Sequence, residues 1–162
     1  MGSSRQYILL VDDDPKVLAA LDLELQSWAK RRSLEILQAT SAMEGLKLVD
    51  EYGDDIYISI AELRMSDMLG SDFIAELSLT HPHIVTFLLS GVPDIDEIIK
   101  SLHANMFSLI GKPWDTWNLR LELSMAFEVA ENRRIGLRSA LMGKTSHAPA
   151  ARNQPVLVHE PG

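Results

Sequence analysis

Five apolar runs of strand length punctuate the chain, at Tyr7 to Val11, Leu34 to Ala39, Ile56 to Ala61, Ile84 to Leu89 and Met106 to Ile110. Several are apolar almost without alternation, the pattern of strands covered on both faces in a parallel sheet. Between them lie Pro15 to Lys30, Ser41 to Tyr52, Ser71 to Leu79 and Asp94 to Leu102, each with apolar residues three and four apart, as on one face of a helix. Asp14 ahead of Pro15, Ser41 and Asp94 are suited to cap these helices, because a short side-chain oxygen accepts a first-turn N–H that the helix leaves unpaired. A fifth helix is expected from near Asp115. Strands and helices in strict alternation predict a doubly wound α/β domain with a five-stranded parallel sheet and right-handed crossovers.

The last helix carries Leu119, Leu123, Ala126, Ala130, Leu137 and Leu141 at spacings of three, four and seven, with Arg133 interrupting the seam. Up to Ala130 this reads as a core-facing amphipathic helix. Residues 131–142 read as a helical extension, and a short coiled coil for dimers is the alternative use of the same spacing. From Gly143 to Gly162 the composition shifts to Ser, Ala, Pro, Asn and Gln with no aromatic residue, which predicts a disordered tail.

Bulk composition narrows the partners. The 162 residues, 46% of them hydrophobic, suffice for one well-packed core. With 15 basic against 23 acidic residues the net charge is −8, which argues against nucleic acid as a main partner and favours proteins or small cations. Cysteine is absent, so disulfides and thiolate metal sites are excluded. No run approaches the roughly 20 apolar residues that span a bilayer, and Met1 to Gln6 has no signal-peptide core, so a soluble cytoplasmic protein without membrane partners is expected.

The polar residues at the strand ends carry the chemistry. In an open α/β sheet, ligands bind at the carboxyl ends of the strands, where strand order reverses. The first strand ends in Asp12, Asp13 and Asp14, the third at Glu62, the fourth at Ser90, and the fifth at Lys112 followed by Pro113. Acids of this kind bind a divalent cation, while a hydroxyl and an ammonium receive anionic oxygens, so the set suits a phosphoryl group with Mg²⁺. One of the three aspartates is needed as a helix cap, but caps alone do not call for a Lys and a Ser on neighbouring strand ends.

Four segments, Tyr7-Ile-Leu-Leu-Val-Asp-Asp-Asp-Pro15, Glu62-Leu-Arg-Met-Ser-Asp-Met-Leu-Gly70, Leu88-Leu-Ser-Gly91 and Lys112-Pro-Trp114, resemble the motifs of response-regulator receiver domains of two-component systems. The resemblance covers about residues 5–130 and implies a flavodoxin-like receiver fold. It implies that Asp12 and Asp13 bind Mg²⁺, that the residue at position 62 accepts phosphate from a histidine kinase, that Ser90 and Lys112 contact the phosphoryl group, and that the Lys112–Pro113 bond is cis. The Lys-Pro-Trp ending is similar to receivers that precede phosphodiesterase or transcription output domains, and no such domain is present in these residues. The resemblance also puts partner binding, including a homodimer, on the fourth helix, fifth strand and last helix.

Three departures from the family pattern bear on function. Glu62 replaces the acceptor aspartate, and its carboxylate sits about one methylene further out. A misplacement of about 1 Å can slow an alignment-dependent reaction roughly a hundredfold, so ordinary phosphotransfer is expected to be lost or very slow. Ser66 follows Met65 where the family has proline, which is expected to loosen that loop. Leu109 stands where the family has a swinging aromatic residue, and Phe107, two residues earlier, is expected on the same strand face as a core residue. For Glu62 three roles remain open: partial imitation of the phosphorylated state, a plain ion pair with Lys112, or a ligand for weakly bound Mg²⁺.

Other chemistries fit less well. Asp12-Asp-Asp14 with Ser90 and Lys112 is similar to the first three motifs of haloacid-dehalogenase-type Mg²⁺-dependent phosphohydrolases, but the acid pair of the fourth is missing beyond Lys112. Gly143-Lys144-Thr145 lacks the upstream glycine and strand of a phosphate-binding loop. The five histidines lack metal-site spacing and read as solvated or capping residues, as the pairs Arg31-Arg32 and Arg133-Arg134 read as solvated helix ends. Trp114 and Trp117 are expected to pack over the proline turn.

Overall fold

The computed structural model describes residues 4–92 and 94–145. Among the described residues five strands and five α-helices alternate: β1 (Gln6–Val11), α1 (Pro15–Arg31), β2 (Leu34–Ala39), α2 (Ala42–Tyr52), β3 (Ile56–Glu62), α3 (Gly70–Thr80), β4 (Val85–Ser90), α4 (Ile95–His103), β5 (Ser108–Gly111) and α5 (Thr116–Thr145), with a 3-10 turn at Gly53–Asp55 ahead of β3. The sheet order is β2-β1-β3-β4-β5 and every pairing is parallel. The chain leaves β1 towards β2 on one side and returns to β3 on the other. The crevice of the switch point therefore opens between the carboxyl ends of β1 and β3.

Alternation along β1 assigns the two faces. Ile8 and Leu10 join Leu18, Leu21, Leu25 and Trp28 of α1 and Leu119, Leu123, Ala126 and Ala130 of α5, while Tyr7, Leu9 and Val11 join Val49 of α2 and Phe73 and Leu77 of α3. All seven residues of β3 are buried, because this central strand is covered on both faces. Each fully buried Leu or Ile contributes roughly 1.5–3 kcal/mol relative to exposure, which explains why the runs in β1 and β3 tolerate almost no polar residue. The caps are as the sequence implies: Asp14 accepts from Lys16 N at 2.9 Å, Ser41 Oγ from Glu44 N at 3.0 Å, and Asp94 from Glu97 N at 3.3 Å.

Several expectations change. β5 begins at Ser108, not Met106, since Met106 N is drawn back to Ser101 O in the turn that ends α4, where Asn105 has φ 65°. Phe107 therefore lies ahead of the strand and escapes its alternation. It packs with Phe87 on the α1/α5 face (centroids 5.3 Å apart), whereas Leu109 joins Leu63, Leu88 and Met106 on the α4 face. His83 is buried rather than solvated and donates from Nε2 to Gly53 O at 2.8 Å; burial holds its pKa below the usual range.

The arginine pairs are not simply solvated either. The Arg32 guanidinium lies 4.3 Å from the Trp28 ring centroid, and Arg134, only 7% exposed, lies 4.6 Å from that of Tyr57. Arg134 also bonds Asp54 O, and Arg133 bonds Pro82 O and Ile84 O, so α5 stays tied to the amino ends of β3 and β4 after Ala130. The helix runs through Gly143, Lys144 and Thr145, three residues into the expected tail, and residues 146–162 of that tail lie outside the described residues.

Candidate functional site

The β1–α1 turn sets out three aspartates in sequence. Asp12 is buried, its Oδ1 accepting from Asp14 N at 2.8 Å, while Asp14 is spent as the α1 cap. Asp13 is exposed, and its Oδ2 accepts from Ser66 N at 3.0 Å. A proline at 66 has no N–H to give. Ser66 thus ties the β3–α3 loop to the β1–α1 turn, the opposite of the loosening expected from the sequence.

Glu62 ends β3 at 8% exposure. Its Oε1 accepts from Arg64 N at 3.3 Å and its Oε2 pairs with Lys112 Nζ, which also lies 3.0 Å from Asp12 Oδ2. Lys112 follows β5, its N–H donating to Ser90 O at 2.9 Å, and the Lys112–Pro113 bond is cis. Ser90 ends β4, but its Oγ donates to Val92 O at 2.6 Å within its own loop instead of reaching Glu62. Leu109 is half-buried beside α4. Of the residues singled out in the sequence, Asp12, Glu62 and Lys112 are therefore joined directly, Ser90 is joined through the backbone, and Asp13 stands to one side.

The electrostatics follow from that bridge. Burial pushes the Glu62 carboxyl above the usual glutamate range, and the hydrogen bond and charge of Lys112 oppose this without cancelling it. Burial pulls on Lys112 in the other direction, but its hydrogen bonds to Glu62 and Asp12 outweigh it and raise the ammonium. Between two buried acids the lysine is charged, and Glu62 takes up a proton more readily than an ordinary glutamate as pH falls.

Sequence reasoning missed three supports. The Arg64 guanidinium pairs with Asp94, linking the loop after β3 to the cap of α4. Asp67 accepts from Met43 N at 3.0 Å and Ala42 N at 3.2 Å, fixing the same loop to α2, and the Met43 bond holds its pKa low. Gly70 lets the chain turn under the site, since a Cβ there would lie 2.2 Å from Glu62 O. The polar residues at strand ends stand out as single positions, while these supports are pairings across loops that no local pattern marks.

The acids do not fit a cation cage as arranged. Lys112 takes Asp12 Oδ2 and Glu62 Oε2, backbone N–H groups take Asp12 Oδ1 and Asp13 Oδ2, and among the described residues no group of three His, Cys, Asp or Glu side chains converges as metal ligands.

A doubly wound parallel sheet with Asp12, Glu62 and Lys112 joined at the strand ends narrows the chain to one class of α/β domain. The chain matches the model of the response regulator receiver domain over residues 8–124 and belongs to that family. It is 31% identical to the transcriptional regulatory protein GlrR of Escherichia coli K12 over 115 residues, 71% of this chain and 24% of that protein. It is 26% identical over 153 residues to the response regulator protein PilR of Pseudomonas aeruginosa, 93% of this chain and 33% of that one. Among solved structures, the signal receiver domain of an HD-domain-containing protein from Pseudomonas fluorescens superposes with a TM-score of 0.73 at 26% identity, covering 80% of this chain and 99% of that domain. The chain thus spans 24% and 33% of these two curated relatives. It carries the receiver domain of a two-component response regulator, a signalling domain. None of the helices among the described residues is long and apolar enough to cross a membrane.

Proposed function

We propose that this receiver signals through protein–protein interaction with its phosphotransfer lost or very slow, because Glu62 occupies the acceptor position. The Glu62–Lys112 ion pair carries this reading. The extra methylene carries the carboxylate past the place of an aspartate and onto Lys112, and about 1 Å of misplacement already slows such a reaction roughly a hundredfold. Ser90 supports silence over imitation of the switched-on state: its hydroxyl satisfies Val92 O and leaves the Glu62 charge to Lys112. The occupied acids support weak or absent Mg²⁺ binding at Asp12 and Asp13.

The partner is a histidine kinase or another signalling protein in the cytoplasm, and the docking face is α4, β5 and α5, through which a homodimer also forms. Ile95, Ile99 and Leu102 on α4 and Leu121 and Met125 on α5 are exposed there at helical spacing. Glu62→Asp tests the reading. With a small phosphodonor and Mg²⁺, this variant is expected to gain one phosphoryl group by intact mass, provided Asp12, Asp13, Ser90 and Lys112 take up their places around the shorter acid. A variant that does not label means that the site has lost more than its acceptor.

A further inference from the structure

All three tryptophans of the chain, Trp28, Trp114 and Trp117, line one groove between α1 and the start of α5, a cavity of about 770 Å³. Arg31, Arg32 and Arg120 line it as well, with Asp115 as the acid among its lining residues. This is a local excess of positive charge on a chain whose net charge is −8. Core packing accounts for Trp28, whose Nε1 donates to Ser124 Oγ at 3.1 Å, and for the half-buried Trp114. It does not account for Trp117, an indole left 78% exposed at the rim.

The arginines divide in the same way. Arg120 is turned to Glu24 O, and Arg32 donates to Trp28 O and Ser124 Oγ at 3.2 and 3.0 Å while keeping further N–H groups. Arg31 is exposed and adds its charge beside Arg32, whose pKa is lowered by burial and by that neighbour. An exposed indole beside two adjacent guanidinium groups matches a ligand that is flat and apolar at one end and multiply anionic at the other. The volume lies within the roughly 300–1,000 Å³ of small-molecule sites.

We infer that this groove binds a free nucleotide, its base stacked on Trp117 and its phosphates on Arg31 and Arg32. The site is separate from Asp12 and Glu62, so it operates whether or not position 62 takes phosphate. Trp114 lies two residues after Lys112, so the groove borders the turn that carries the lysine.

Because every tryptophan lines the groove, quenching of intrinsic fluorescence on the red edge of the indole band reports occupancy, and calorimetry gives the affinity. The probes are ATP, GTP, a cyclic mononucleotide and a cyclic dinucleotide, with adenosine, inorganic phosphate and a single-stranded RNA oligomer for comparison. At least one nucleotide is expected to bind saturably, at least about tenfold tighter than adenosine or phosphate alone, and to weaken at least about tenfold in Trp117→Leu and in Arg31→Ala. Both side chains are exposed, so both variants are expected to keep the wild-type melting temperature; if one does not, the other decides. No saturable nucleotide binding by either method, unchanged affinity in the folded variants, phosphate or adenosine binding as tightly as the nucleotides, or binding confined to the oligomer would overturn the assignment.

Discussion

Replacing Lys112 with methionine keeps most of the side-chain stem and removes only the charge between Asp12 and Glu62. At 3.0 Å from Asp12 Oδ2, the ammonium gains about 5 kcal/mol of Coulomb attraction at an effective dielectric of about 20, before desolvation is subtracted. Removing one partner of a buried pair destabilises by about 3–5 kcal/mol, because the remaining charge stays buried without compensation. Here two carboxylates would remain, and Glu62, already raised by burial, would rise further. A carboxyl whose folded pKa is raised contributes stability that is present below its unfolded pKa, about 4.3, and lost as pH rises through the folded pKa. Urea titrations of Lys112→Met are therefore expected to show a deficit of about 3–5 kcal/mol at pH 8 that shrinks steadily as pH falls towards 5. Adding Glu62→Gln to Lys112→Met is expected to recover much of it at pH 8. A deficit below about 1 kcal/mol, or one that does not vary with pH, would refute the bridge as the organising contact of the site.

Two further changes probe its supports. Gly70→Ala would set a Cβ 2.2 Å from Glu62 O and 2.8 Å from Leu88 Cδ1, and is expected to lower stability by about 3 kcal/mol, read from the urea midpoint at unchanged m. A loss under about 0.5 kcal/mol would mean that the loop after β3 yields freely. His83 has a lowered folded pKa, so its contribution is complete above its unfolded pKa, about 6.5, and is lost as pH falls through the folded value. Wild type is expected to lose more stability than His83→Gln between about pH 7 and pH 5, and parallel curves would contradict the burial argument.

Much of the architecture is legible in the sequence because its causes are local. β1 and β3 read as buried strands since both faces are covered, and Asp14, Ser41 and Asp94 read as caps since a short acceptor before a helix has one obvious use. Asp12, Glu62 and Lys112 stand at strand ends in the sequence, and a parallel sheet brings such ends to one edge, where the three side chains meet. What was not legible depends on contacts across the chain. Phe107 changes face because the α4 turn holds Met106 back, Arg134 is buried because Tyr57 lies beneath it, and Ser66 tightens its loop because Asp13 happens to lie within reach. None of these leaves a periodic trace.

The central claim is that Glu62 is engaged by Lys112 and does not accept phosphate. Intact mass of the wild-type chain, recorded promptly after incubation with a small phosphodonor and Mg²⁺ beside a labelled Glu62→Asp sample, tests it most directly. The account predicts an unchanged wild-type mass under conditions that label the variant. A gain of one phosphoryl group on the wild-type chain would contradict it.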